Sequence, residues 1–293
     1  MFRGSIVAIV TPFRDGKVDE YAFERLIEWH ISEGTDAIVP CGTTGESATL
    51  NYDEHMRVIE IAIKVANNRV PIIAGTGANS TDEAIMLTEK ARKLKADAAL
   101  LVTPYYNKPT QEGLYRHYDE IAKKVDIPIV LYNVPSRTGV NLLPSTVARI
   151  VENNENVVAI KEASGDMRQA SKIIRLCGDR LSVISGDDFT TFPILSLGGK
   201  GVISVVANII PDKVSQMCAA FREGNIKEAK KIHYYLEPLN DVMFLQTNPI
   251  PVKTALSMMG KIKEEFRLPL CEMGREDKEV LRSRLIEYGL VTP

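Results

Sequence analysis

Eight short apolar runs rich in β-branched residues recur along the chain, at Ser5–Val10, Asp36–Val39, Pro71–Ala74, Ala98–Val102, Pro128–Tyr132, Val157–Ile160, Leu181–Ile184 and Gly201–Val205. Their length and composition read as strands. Between them, segments such as Tyr21–Glu33, Asp53–Asn67, Thr81–Leu94 and Gln111–Lys124 place apolar residues at helical spacing. Strand starts recur roughly every 20–35 residues, the size of one βα unit. Alternating strands and helices imply a parallel sheet, and eight units in about 220 residues fit a closed (β/α)8 TIM barrel. A doubly wound open sheet is the rival. It is expected to carry a glycine-rich turn after its first strand, where this chain has T-P-F-R-D-G (11–16). After Arg222 the pattern turns helical, with Ile226–Gln246, a segment following Pro249-Ile250-Pro251, and Lys278–Tyr288. The expected organisation is therefore a barrel over residues 1–223 and a C-terminal helical extension over 224–293.

Composition adds exclusions. Hydrophobic residues make up 45% and charged residues 25%, and the formal net charge is −2. That balance fits a soluble globular protein and offers no basic surface for nucleic acid or anionic membrane. Four scattered cysteines with no CxxC pair read as reduced thiols in a cytoplasmic setting. The apolar stretch near the N-terminus is too short for a signal-peptide core or a membrane span and reads as a strand.

In barrels of this kind chemistry sits at the C-terminal ends of the strands. Those ends read Thr11-Pro12, C-G-T-T-G-E (41–46), G-T-G (75–77), T-P-Y-Y-N (103–107), Y-N-V-P-S-R-T-G (132–139), K-E-A-S-G-D (161–166), S-G-D-D (185–188) and S-V-V-A-N (204–208). The opposite turns are plainer. Lys161 ends an apolar strand and so falls inside a polar mouth. Alternation puts Val157, Ala159 and Lys161 on one face, as it does Val130 and Tyr132. If both faces point inward, amine and phenol meet above the core. A neutral lysine amine adds to a carbonyl, loses water and forms an imine, which acidifies the neighbouring C–H. The proton transfers this needs call for a relay, and Tyr132, Thr43 and Tyr106 carry hydroxyls on separate strand ends. The G-T-T-G turn (42–45) offers backbone N–H groups to a carboxylate, and Arg137 offers a guanidinium fork to a second one. The pattern points to a small 2-oxo acid and a second, anionic partner. His30, His55, His117 and His233 show no ligand spacing, so no metal is expected.

G-T-T-G-E (42–46), Y-N-V-P-S-R-T-G (132–139) and the strand ending in Lys161 resemble the dihydrodipicolinate synthase/N-acetylneuraminate lyase family. The resemblance continues through P-Y-Y-N-K-P (104–109), G-V-I-S-V-V-A-N (201–208) and T-N-P-I-P-V-K (247–253). It implies a (β/α)8 barrel with a C-terminal helical domain, assembled as a homotetramer, a dimer of dimers. It implies pyruvate held as an imine on Lys161, with no metal or organic cofactor. By the same match Tyr132 is the proton donor and acceptor, Thr43 its relay partner, and Tyr106 a relay member supplied by the neighbouring subunit. Thr44 and the backbone at Ile203 would bind pyruvate, and Gly186 would line the pocket. The branch that condenses pyruvate with aspartate 4-semialdehyde, on the route to diaminopimelate and lysine, carries arginine where Arg137 stands. The sialic acid lyase pattern lacks it, so the first branch is expected. A pyruvate-dependent sugar-acid aldolase and a non-catalytic small-acid sensor are the alternatives. Members inhibited by L-lysine bind it at a subunit interface, and the matching positions are Ser47, Ala48, Tyr52, His55, Asn79, Glu83 and Tyr105. Tyr52 departs from the histidine common in inhibited bacterial enzymes.

Overall fold

The computed structural model describes residues 2–293. Among the described residues, ten strands follow one another as β1 (Gly4–Ala8), β2 (Phe13–Arg14), β3 (Lys17–Val18), β4 (Ala37–Val39), β5 (Ile73–Gly75), β6 (Ala98–Val102), β7 (Ile129–Asn133), β8 (Val157–Glu162), β9 (Ser182–Ser185) and β10 (Gly201–Ser204). Eight of them form one sheet in the order β4-β1-β10-β9-β8-β7-β6-β5. Every pairing resolved within it is parallel. Helices follow the strands, so the fold is the expected (β/α)8 barrel with a C-terminal helical extension.

The chain divides into two compact units. One holds the described residues up to Gly4 together with Pro71–Ile203, the other Ser5–Val70 and Ser204–Pro293. In the first, β5 to β10 pair successively through residues that are almost all buried, which is why their sequences are nearly continuous apolar runs. The β7–β8 register sets Tyr132 beside Lys161 and Asn133 beside Glu162, after a register shift between Ile129 and Val130. Thr110 caps the helix Gln111–Lys124 by accepting from the Gly113 amide, and Asp166 caps Met167–Cys177 by accepting from Arg168 and Gln169.

In the second unit, β1 pairs with β4. Past Ala8, Ile9 N–H still donates to the Val39 carbonyl at 3.2 Å, and the Asn208 side chain takes up neighbouring backbone groups. Asn208 Nδ2 donates to the Ala8 carbonyl at 2.8 Å, and Val10 N–H donates to Asn208 Oδ1 at 3.1 Å. This is why the strand expected to reach Val10 ends two residues sooner. The T-P-F-R-D-G segment holds a small antiparallel hairpin, β2 with β3, turning through Asp15 and Gly16 at positive φ. Asp-Gly is the residue pair such turns favour. The helix Tyr52–Ala66 starts with a full capping box between Asn51 and Glu54. The C-terminal part supplies Pro211–Arg222, Ile226–Val242, Ile250–Met258 and Arg275–Glu287.

Candidate active site

Lys161 is the penultimate residue of β8, with 5% of its surface exposed, and Tyr132 is the penultimate residue of β7, with 6% exposed. The Lys161 Nζ lies 4.3 Å from the centre of the Tyr132 ring. The phenol face thus covers the amine from the adjoining strand, in the geometry by which a ring attracts a cation. The two residues lie one above the other because their strands are in register there. The sequence expectation that amine and phenol share a face is met.

A buried polar network on the other face of the same two strands holds this register. Glu162 is fully buried and accepts from Ser164 N–H at 2.7 Å, Asn133 Nδ2 at 3.1 Å and Gln169 Nε2 at 3.1 Å. Asn133 Nδ2 also donates to Asn141 Oδ1 at 2.8 Å, and Leu142 N–H donates to Asn133 Oδ1 at 2.9 Å. Gln169 and Asn141 exchange two further bonds, at 2.9 and 3.0 Å. A buried carboxylate is costly unless donors surround it. This one can stay where it is only if β7, β8 and the following loop keep their places.

Gly186 follows β9, and its N–H donates to the Glu162 carbonyl at 2.8 Å. A methyl group at Gly186 would stand 2.6 Å from Ala163 Cβ, 3.0 Å from Lys161 Cγ and 3.1 Å from Lys161 Cε. The missing side chain is the channel through which the lysine reaches its position. Next to it, Asp187 has its carboxyl pushed above the ordinary range by burial, against the lowering effects of the Phe189 N–H and the Lys161 charge. Asp187 is the third residue of S-G-D-D (185–188) and was not among the candidate site residues. Its signal was a charged side chain one residue beyond a candidate pocket glycine. Ile203 is fully buried on β10.

Arg137 is exposed on the single turn Pro135–Thr138 that follows β7. Tyr106 is 92% exposed, at φ 63. A bulky side chain in the left-handed region is uncommon and marks a backbone over-determined by its surroundings. Tyr105 N–H donates to Asn79 Oδ1 at 2.8 Å, and Asn107 Nδ2 donates to the Asn79 carbonyl at 3.0 Å. Asn79 therefore braces the Tyr105–Asn107 loop, with its side-chain oxygen already engaged. Glu83 sits in the first turn of the helix Thr81–Lys93.

The other candidates lie in the second unit. Cys41 and Glu46, both left-handed, bracket Gly42–Gly45. Inside the turn Gly45 N–H donates to the Gly42 carbonyl and Glu46 N–H to the Thr43 carbonyl, each at 3.1 Å. Thr11 Oγ1 donates to the Gly45 carbonyl at 2.7 Å. A Cβ on Gly45 would stand 3.2 Å from the Ile9 carbonyl oxygen, so the tight turn fits glycine there. Thr43 is half-buried and Thr44 buried. Ser47 and Ala48 lie in the short 3-10 turn Ser47–Thr49, Tyr52 is exposed and His55 is buried. Two residues that sequence reading did not name bear on this turn: Asn248 donates to Thr44 Oγ1 at 3.0 Å, and Lys253 pairs with Glu46. Among the described residues, no group of three or more His, Cys, Asp or Glu is arranged to hold a metal ion, and no helix is long and apolar enough to cross a membrane.

Chemically, a water-poor lysine amine under a phenol face can add to a ketone, with the phenol hydroxyl moving the protons.

Comparison with known proteins gives one consistent result. The sequence profile of the Dihydrodipicolinate synthetase family matches residues 1–287. The 4-hydroxy-tetrahydrodipicolinate synthase of Thermodesulfovibrio yellowstonii is 67% identical, over 99% of this chain and 100% of that protein. The crystal structure of dihydrodipicolinate synthase from Aquifex aeolicus matches at a TM-score of 0.98 and 51% identity, covering 100% of both chains. That of DHDPS from Cyanidioschyzon merolae with lysine bound matches at 0.96 and 41%, covering 99% of each.

Proposed function

The chain belongs to the dihydrodipicolinate synthetase family, and from that premise we propose that it carries out the 4-hydroxy-tetrahydrodipicolinate synthase reaction, joining pyruvate to L-aspartate 4-semialdehyde. The observation that carries the reading is Lys161, buried at a strand end with its Nζ 4.3 Å from the centre of the Tyr132 ring.

The steps follow from the chemistry of an amine. Neutral Lys161 Nζ adds to the pyruvate ketone, and loss of water leaves an imine. Deprotonation of the methyl carbon turns the imine into an enamine. That carbon attacks the aldehyde of the second substrate, whose oxygen takes a proton and becomes the 4-hydroxyl. The amino group of the joined product then adds to the imine carbon and expels Lys161, closing the ring. One water is released overall, and the enzyme amine returns unchanged.

Tyr132 is assigned the protons of imine formation and aldol addition, with Thr43 and a neighbouring subunit's Tyr106 as relay. Thr44 and the Ile203 backbone are assigned to pyruvate, Gly186 to the pocket wall, and Arg137 to the carboxylate of the semialdehyde. The exposed, left-handed Tyr106 supports the cross-subunit role, because the ring projects away from its own chain; the assembly proposed is a homotetramer, a dimer of dimers. L-lysine is assigned as an inhibitor bound near Ser47, Ala48, Tyr52, His55, Asn79, Glu83 and Tyr105. We place the reaction in the cytoplasm, where the four free thiols, three of them buried, stay reduced. The catalytic chemistry draws on side chains and substrates alone, without metal or organic cofactor.

The experiment is borohydride reduction in the presence of pyruvate, together with a coupled assay offering aspartate semialdehyde or sugar acids. Parent enzyme should be trapped at Lys161 and turn over the semialdehyde. Lys161→Ala should give no stable adduct while remaining folded. An adduct in that variant would assign the nucleophile elsewhere, and turnover of sugar acids alone would assign a different aldolase.

A further inference from the structure

Lys253 lies on the helix Ile250–Met258 with 0% of its surface exposed. Its ammonium pairs with Glu46 Oε1 and lies 4.2 Å from the centre of the Phe13 ring and 5.1 Å from that of Phe266. The second oxygen of Glu46 accepts from the Arg267 backbone N–H at 3.2 Å. Burial pulls the lysine below its ordinary range, against the opposing effect of Glu46.

Stability alone is a weak reason for such a pair. Stripping water from two charges costs about as much as their attraction contributes, and apolar residues of equal size often do better. A buried pair does specify position, because its partners must meet in one geometry. Here the position specified is that of Glu46, the last residue of the Cys41–Glu46 turn. That turn is left-handed at both ends without glycine there, so it needs outside restraint.

The same C-terminal segment reaches the turn a second time. Asn248 Nδ2 donates to Thr44 Oγ1 at 3.0 Å. A hydroxyl has one proton and two acceptor lone pairs. With a lone pair occupied by Asn248, the Thr44 proton is directed elsewhere, as a donor. The two grips act two residues apart on the turn and come from positions five apart in Asn248–Lys253.

We infer that Asn248 and Lys253 are positioning residues that set the Gly42–Glu46 turn, and the Thr44 hydroxyl in particular, to receive the carboxylate of the 2-oxo acid. This rests on the assignment of Thr44 to pyruvate. Asn248 orients the donor. Lys253 fixes the backbone that carries it. Neither touches the substrate.

Three variants test this in the enzyme. Lys253→Met keeps chain length and removes the charge. Asn248→Ala removes the donor to Thr44. Thr44→Val probes the turn itself. In each, the KM for pyruvate should rise by about tenfold to a hundredfold, the span for losing a charge-assisted hydrogen bond. The KM for aspartate semialdehyde should change far less. The adduct trapped at saturating pyruvate should persist. A purely structural role would lower Tm and the active fraction while leaving the pyruvate KM in place. Should Lys253→Met fail to fold, Asn248→Ala decides. A raised KM in Thr44→Val with parent KM in Asn248→Ala overturns the positioning inference and leaves the Thr44 assignment standing. Parent KM in Thr44→Val overturns both.

Discussion

Adding one methyl group at Gly186 should disable the nucleophile without disabling the fold. The glycine has an ordinary backbone conformation, outside the positive-φ set, so alanine introduces no torsional strain there. What it introduces is a Cβ 2.6 Å from Ala163 Cβ and 3.0 Å from Lys161 Cγ. Carbon atoms rest at about 3.5–4.0 Å. The lysine stem or the strand end must therefore shift by roughly 1 Å, and a misplacement of that size costs on the order of 100-fold in rate. Overpacking of this kind destabilises by about 1–3 kcal/mol. At about 2 °C per kcal/mol for a large chain, Tm should fall by roughly 2–6 °C. The assay is the rate of borohydride-trapped adduct formation with pyruvate, read beside a thermal melt. Trapping should slow by about two orders of magnitude while the melt stays cooperative. Parent trapping rates in Gly186→Ala would show that the stem of Lys161 has slack there, and would refute the view that the missing side chain sets its position.

Arg137→Ala should leave imine formation nearly unchanged and lower the specificity constant for aspartate semialdehyde by about tenfold to a hundredfold; equal loss in both half-reactions would make the guanidinium a structural group. L-lysine should inhibit partially, and Glu83→Ala should abolish that inhibition with activity retained; a titration to millimolar L-lysine without effect would remove the inhibitor assignment alone. His30 is buried and pushed down to about 3 by desolvation, with the charge of Lys261 adding to it, and burial pushes His117 down to about 4. Their depressed values contribute stability that is full above the unfolded value near 6.5 and is lost as pH falls toward 4 and then 3, by up to about 1.4 kcal/mol per pH unit for each. His30→Phe should flatten that slope in denaturant midpoints measured between pH 7 and 4.5, and an unchanged slope would show that His30 is not among its sources.

Local physics made much of the architecture legible. Ala98–Val102 and Gln111–Lys124 are observed at the boundaries the pattern predicts, because the strand is apolar throughout and Thr110 marks the helix start. Alternation brings Lys161 and Tyr132 together on the condition that both faces point the same way, and the β7–β8 register supplies that condition. What stayed hidden depends on partners remote in sequence. Glu162 looks like a surface residue next to a lysine, and only donors from Asn133 and Gln169 explain its burial. Nothing near Lys253 in sequence announces Glu46, and nothing near Asn248 announces Thr44. The early end of β1 follows from Asn208, about two hundred residues away. The Asp15-Gly16 hairpin is a different case: its signal, an Asp-Gly pair, is local and legible.

The second compact unit joins Ser5–Val70 to Ser204–Pro293, and this has a consequence for how the protein is made. Glu46 leaves the ribosome 207 residues before Lys253. At 5–20 residues per second that interval is roughly 10–40 s. Throughout it, the Cys41–Glu46 turn lacks the cation that meets its glutamate and the amide that meets its threonine. The opening β-strand also waits, because Asn208, which finishes its hydrogen bonding, is made late. Residues 4 to 46 are thus made long before their native partners, and chaperones have a long opportunity to act on them.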